Sequence, residues 1–247
     1  MTPTRQRHLL FALLAAGLLL VIIATIIALT RSQRDIQIAA PADPSLPPGG
    51  FTFFDVDRAT VLDRSLRKKL ADTLGSDAIA HATPIDLTIV GPHFLRDHLP
   101  VLDTLNQRLN PAMGGRREHD TTRLTYHRAE RHNMPFRYIE LVFSNRNGRP
   151  LYFIINPTED FADSIATLAS KYGPPRIIPT ENGDAPVRIW EQAGDILVGT
   201  SFTRRNGRLA QELRIYFVDN LKQLVASEDQ ALEQQESSSR KAGERAF

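Results

Sequence analysis

The stretch FRYIELVFSNRNGRPLYFII, Phe136–Ile155, decides the fold. Two runs rich in β-branched and aromatic residues flank an Asn-Gly pair, the pattern of two antiparallel strands joined by a tight turn. A second stretch, ILVGTSFTRRNGRLAQELRIYFV, Ile196–Val218, repeats the arrangement. Within them FSNRNGR (Phe143–Arg149) and FTRRNGR (Phe202–Arg208) agree at five of seven positions. Asn-Gly supplies the positive φ angles of a type I′ turn, so Asn147-Gly148 and Asn206-Gly207 read as matching hairpin tips.

Working outward, each hairpin is preceded by a helix and one more strand. A helix ending in RLNPAM (Arg108–Met113) leads to a strand with Leu124 and Tyr126. The helical stretch EDFADSIATLASKYG (Glu159–Gly173) leads to VRIW (Val187–Trp190). Helix then three strands, twice, implies a tandem duplication with approximate repeats at 92–156 and 157–219. Further upstream, FTFFDV (Phe51–Val56) reads as a short strand. Leu62, Leu66, Leu70 and Leu74 recur every four residues before Gly75, a helix and its stop. Ile85, Leu87 and Ile89 alternate with polar neighbours, as in a half-buried strand. Phe94, Leu95, Leu99, Leu102, Leu105 and Leu109 form a helical stripe in which Pro100 marks a first turn. The expected fold class is α+β: an N-terminal transmembrane helix, a strand-helix-strand segment, then two tandem helix-plus-three-antiparallel-strand repeats in one domain, 51–226.

Tyr172-Gly173-Pro174-Pro175, Trp190 and the Asn206-Gly207 turn give the second repeat a helix closed by Gly-x-Pro, an aromatic strand and a meander. In this it resembles the helix-plus-three-strand module of certain bacterial envelope proteins, the small outer-membrane assembly lipoproteins and the β-lactamase inhibitor proteins. The resemblance covers about 60 residues. It implies a fold only, and the lipidated cysteine of such lipoproteins is absent.

Residues Leu9 to Leu29 are 21 consecutive residues without a charge or strong polar group. As a helix they reach roughly 30 Å, the thickness of a bilayer's hydrocarbon core. The run exceeds the apolar region of a cleaved signal peptide. Arg5 and Arg7 before it and Arg31 and Arg34 after it tie the positive-inside count. The eight-residue tail (1–8) and the absence of a second span favour an N-in anchor in the inner membrane, with the C-terminal domain outside the cytoplasm. Residues 30–50 follow as a Pro/Gly-rich tether, semi-rigid where Pro41–Pro48 concentrates four prolines. Residues 227–247 have few apolar side chains and read as a polar, flexible tail.

Composition narrows the chemistry. The formal charge is +2 over 247 residues, so no strong field calls for nucleic acid, and there is no cysteine for thiol, disulfide or cysteine–metal chemistry. Six of the seven histidines lie between His81 and His132, but His93, His119, His127 and His132 lack a metal-ligand spacing. No nucleophile elbow, serine–lysine pair or phosphate loop occurs. The reading is therefore a non-enzymatic interaction module without a cofactor, contacting the bilayer through Leu9 to Leu29 and another envelope protein through its domain. Arg146, Arg149, Arg205 and Arg208, at the two turn tips, are the candidate contact residues for a phosphate, an acidic polymer or a carboxylate-rich partner. A ligand-binding sensor, or an envelope hydrolase using carboxylates or histidines, are the alternatives.

Overall fold

Residues 49–91, 93–111, 117–132, 134–158, 161–180, 185–203 and 209–246 are described by a computed structural model, and the anchor Leu9–Leu29 lies outside them. Among the described residues no helix is long and apolar enough to cross a membrane. Their fold is α+β, built on one antiparallel sheet. The strands are β1 (Ala78–Thr83), β2 (His119–Tyr126), β3 (Phe136–Ser144), β4 (Pro150–Pro157), β5 (Arg176–Ile178), β6 (Val187–Gln192), β7 (Asp195–Thr203) and β8 (Leu209–Tyr216). They lie in the order β1-β2-β3-β4-β8-β7-β6-β5. Two four-stranded halves thus meet at β4 and β8, where Tyr152 opposes Tyr216 and Ile155 opposes Leu213.

The register defines two ends. One carries the β3–β4 turn at Ser144 and the start of β7 at Asp195. The other, called here the open end, carries Tyr126, Phe136, Pro157, Thr203 and Leu209.

Period-two alternation sends side chains to two faces. Leu124, Leu141, Phe143, Phe153, Leu213 and Ile215 meet α1 (Arg64–Leu74), α4 (Phe161–Tyr172) and the segment Phe51–Val56. Val142, Tyr152, Ile189, Val198 and Tyr216 meet α2 (Phe94–His98), α3 (Pro100–Leu109) and the first turns of α5 (Val218–Ala246). Leu102, Leu109 and Phe153 are fully buried, and each such side chain contributes about 1.5–3 kcal/mol by leaving water. Asp63 caps α1 by accepting from Leu66 N at 2.7 Å, and Gly75 ends it at φ 91°. Pro100 opens α3 as expected. The Trp190 indole donates to the Gly173 carbonyl at 2.8 Å, fixing the helix–strand corner around the Gly-Pro-Pro run.

Three local expectations are corrected. Phe51–Val56 is not a ladder strand: Phe53 and Val56 exchange backbone hydrogen bonds of 3.0 Å around Phe54 and Asp55, at φ 48° and 62°. The burial of Phe51 and Val56, with Phe53 and Phe54 edge-on to Phe136, holds this tight turn in place. Ile85–Ile89 is not a strand either, and β1 lies seven residues earlier. The segment crosses the second face, its backbone held by Asn106 Oδ1 (from Leu87 N, 3.0 Å), Asn110 Nδ2 (to Ile85 O, 2.8 Å) and the Tyr216 hydroxyl (to Leu87 O, 3.1 Å). Its alternation reflects Ile85 and Leu87 entering the core. Finally, residues after Ser227 continue α5 as helix, so the domain limit at 226 falls inside an element.

A buried ion pair ties the entry segment to this frame. Arg58 donates through Nε to Asp195 Oδ2 at 2.8 Å, and Asn220 Nδ2 donates to the carbonyls of Arg58 and Pro150 at 2.9 and 2.8 Å. Burial pushes the Asp195 carboxyl above the usual carboxylate range despite the opposing Arg58 charge.

Candidate functional site

The second face changes character along its length. Towards the Ser144–Asp195 end it is apolar and covered by α2, α3 and α5. Towards the open end it presents Tyr138 and Glu140 from β3, Ile154 and Asn156 from β4, and Ala210 and Glu212 from β8. These side chains, with His127, Arg137, Thr158 and Gln211, line a hollow of about 650 Å³.

Two arginines mark the boundary. Arg123 pairs with the buried Glu140 at 3.3 Å and donates through Nη2 to the Pro84 carbonyl at 3.0 Å. Arg214 pairs with Glu212 and donates to the Thr88 carbonyl. Each guanidinium therefore joins the covering segment 84–88 to a carboxylate of the open wall. The Tyr138 and Tyr152 hydroxyls also donate to Glu140, at 2.7 and 3.3 Å. Burial pushes both hydroxyls well above the usual tyrosine range, and the Glu140 charge adds to the shift. Tyr216 is pushed up to about 12 by burial, against the neighbouring Arg214.

Chemically, the wall is a set of fixed donors and acceptors. Both carboxylates are held in place by guanidinium groups. Asn156 Oδ1 is buried without a hydrogen-bond partner among the described residues. The Tyr138 ring stands 5.4 Å from the His127 ring, tilted by 54°.

The candidate arginines are divided. Arg146 is exposed on the β3–β4 turn and Arg149 follows it, whereas Arg205 and Arg208 lie outside the described residues. The flanking strand ends show how far apart the two turns are anchored. Extending the β4–β8 register, Leu209 lies level with a point nine residues beyond Pro150, roughly 30 Å along the sheet. The described strand ends that flank the two turns therefore lie at opposite ends of the sheet.

The first turn is also not type I′. Gly148 has φ 69°, but Asn147 is not in the left-handed region, and Gly148 N donates to Ser144 O at 2.8 Å across a four-residue loop. Asn147-Gly148 supplies one positive φ rather than two. Asn206-Gly207 lies outside the described residues.

The histidines separate as well. His119 is buried near the Ser144–Asp195 end beside Glu228, His93 precedes α2, and His127 and His132 line a small hollow beside Asp77 at the open end. Among the described residues no group of three or more histidine, cysteine or acidic side chains is placed to hold a metal.

Glu140, Glu212, Arg214 and Asn156 were not singled out in the sequence. Their signal was present: Tyr138/Glu140 and Glu212/Arg214 put polar groups at alternate positions of otherwise apolar strands, on one face. Comparison with protein-family models, with characterised proteins and with solved structures gives no match for this chain.

Proposed function

We propose that this chain is a membrane-anchored extracytoplasmic interaction module that offers the open end of its sheet to another envelope component. The observation that carries the reading is the wall itself. Its two carboxylates, Glu140 and Glu212, are each bound to an arginine. That arrangement suits recognition, because each carboxylate is fixed as an acceptor at a set place on the wall. Gly50 lies beside Asp195, at the end of the sheet opposite the hollow. Such a module would serve envelope assembly or act as an accessory subunit of a larger membrane complex.

The same reading includes a duplicated domain, with its unit redrawn. The two halves of the sheet correspond as β1-β2-β3-β4 and β5-β6-β7-β8, and each is preceded by a helix on the first face, α1 and α4. Leu70-Ala71-Asp72-Thr73-Leu74-Gly75 parallels Leu168-Ala169-Ser170-Lys171-Tyr172-Gly173, and both glycines close their helices with positive φ, 91° and 83°. On this reading the first repeat begins with α1, and α2 and α3 are an insertion after β1.

Photo-crosslinking residues at Arg137, Leu209 and Arg146, introduced singly in native membranes, test the assignment. Capture of the same envelope component from Arg137 and Leu209 but not from Arg146 is expected. Capture confined to Arg146 would overturn it in favour of the hairpin tip.

A further inference from the structure

We propose that the hollow over Tyr138, Asn156 and Glu212 binds a neutral, poly-hydroxylated ligand, a segment of glycan. This rests on the interaction-module reading and names the ligand class of the same wall. Three features of the wall select the ligand.

The first is charge. Arg123 is matched by Glu140 and Arg214 by Glu212. An anionic ligand would meet two fixed carboxylates against the exposed cation Arg137, and a cationic one would meet Arg137 and the guanidinium groups that hold the carboxylates. A neutral ligand meets neither penalty.

The second is the type of polar group. Asn156 and Glu212 offer planar amide and carboxylate edges around the hollow. A sugar hydroxyl both donates and accepts, and neighbouring hydroxyls can bridge the two atoms of one such edge. The buried, unpartnered Asn156 Oδ1 is an acceptor of the kind a ligand hydroxyl would satisfy.

The third is shape. The apolar lining is sparse, Ile154, Pro157, Leu209 and Ala210, and the aromatic surface is Tyr138 beside His127. An aromatic ring gives the C–H face of a pyranose a surface to lie against, whereas an apolar peptide finds no continuous groove. At about 650 Å³ the hollow falls within the roughly 300–1,000 Å³ of small-molecule sites.

The test uses the full chain in lipid nanodiscs, with chitotetraose and maltotetraose as neutral probes and inorganic polyphosphate as the anionic one. Saturation-transfer NMR should show contact with at least one oligosaccharide, and titration should give its affinity. Asn156→Leu should weaken that affinity roughly tenfold, the loss expected when one or two hydrogen bonds are removed. Tyr138→Leu, which removes the aromatic surface of the hollow, should weaken it in the same direction, and this variant stands in if Asn156→Leu does not fold. Lys68→Ser, on the far face of α1, should leave it unchanged. Absence of contact with both oligosaccharides overturns the proposal. So does binding that both hollow variants leave intact, or binding that polyphosphate displaces. Crosslinks from Arg137 and Leu209 without sugar binding would sink the ligand class and leave the interaction-module reading standing.

Discussion

The guanidinium of Arg214 donates to the carbonyl oxygen of Thr88, 126 positions earlier in the chain, while its Nε pairs with Glu212. One side chain on the central strand β8 thus holds both the segment that crosses the sheet and the carboxylate that faces the hollow. Replacing Arg214 with leucine leaves Glu212 without its cation and Thr88 without its donor. Removing one partner of such a pair typically costs about 3–5 kcal/mol when the pair is buried, and less where water still reaches it. With Glu212 part-exposed, about 2–4 kcal/mol is expected. Adding Glu212→Gln should recover part of that loss, and urea unfolding of the two single variants and the double variant measures the coupling. Strict additivity would show that the pair does not act as a unit.

The buried tyrosines give an alkaline limit. Tyr216 loses its proton at about 12 in the folded chain against 10.0 ordinarily, because burial disfavours the phenolate. The unfolded chain therefore releases this proton first, and stability, complete below pH 10, falls as pH rises from there towards 12. Tyr126, Tyr138 and Tyr152 are shifted in the same direction by burial and steepen the fall. Tyr216→Phe should lower stability at neutral pH, through the lost bond to Leu87, and flatten the alkaline slope by about one proton. Unfolding free energies between pH 8 and 11 check the sign. An unchanged slope would remove Tyr216 from the account.

What the sequence made legible follows from range. Hairpins, helix stops and the Pro100 helix start depend on near neighbours, so FRYIELVF and RPLYFII declared their strands, and Leu70, Leu74 and Gly75 their helix end. The segment Ile85–Ile89 misled because alternation reports side-chain burial, not ladder bonding, and its backbone partners Asn106, Asn110 and Tyr216 are distant in the chain. The last helix was missed because Ser227 onward has little to bury, while its docking partners, His119 and Arg108, lie more than 100 positions away. The wall was half legible. Glu140 and Glu212 stood at alternating positions, but only the β3-β4-β8 order puts them on one surface.

Gly148 tests the corrected turn. Its φ of 69° is unfavourable for a side chain, and a Cβ there would lie 2.7 Å from Val61 Cγ1. Gly148→Val should therefore destabilise the fold by about 1–3 kcal/mol, by backbone strain and by pressing Val61 off the turn. Asn147→Ala should cost much less than a type I′ turn would require, because Asn147 does not carry positive φ. Equal losses at both positions, seen in thermal unfolding, would restore the two-residue turn.

The run Leu9–Leu29 carries its own expectation. An uncleaved span keeps the full chain in the membrane fraction through high salt and alkaline carbonate. A reporter after Phe247 should be active only outside the cytoplasm, and activity in the cytoplasm would reverse the proposed orientation.

The second half of α5 separates a docked helix from a loose tail. Glu228 accepts from the buried His119 Nδ1 at 3.0 Å and lies 3.5 Å from Arg117, and Asp229 pairs with Arg108 of α3. His119 Nε2 is buried and has no partner among the described residues, so Glu228 is the contact that satisfies this ring. Ending the chain after Ala226 removes it and leaves a buried polar side chain unmatched, a loss of about 1–3 kcal/mol. Ending the chain after Gln235 keeps Glu228 and Asp229 and should behave as the whole chain does. Limited proteolysis should follow the same line, cutting beyond Leu232, which is 41% exposed, before it cuts near Ser227. If the two truncations melt together, the ion pairs along Glu228 and Asp229 contribute nothing, and the helix beyond Val225 is a solvated extension.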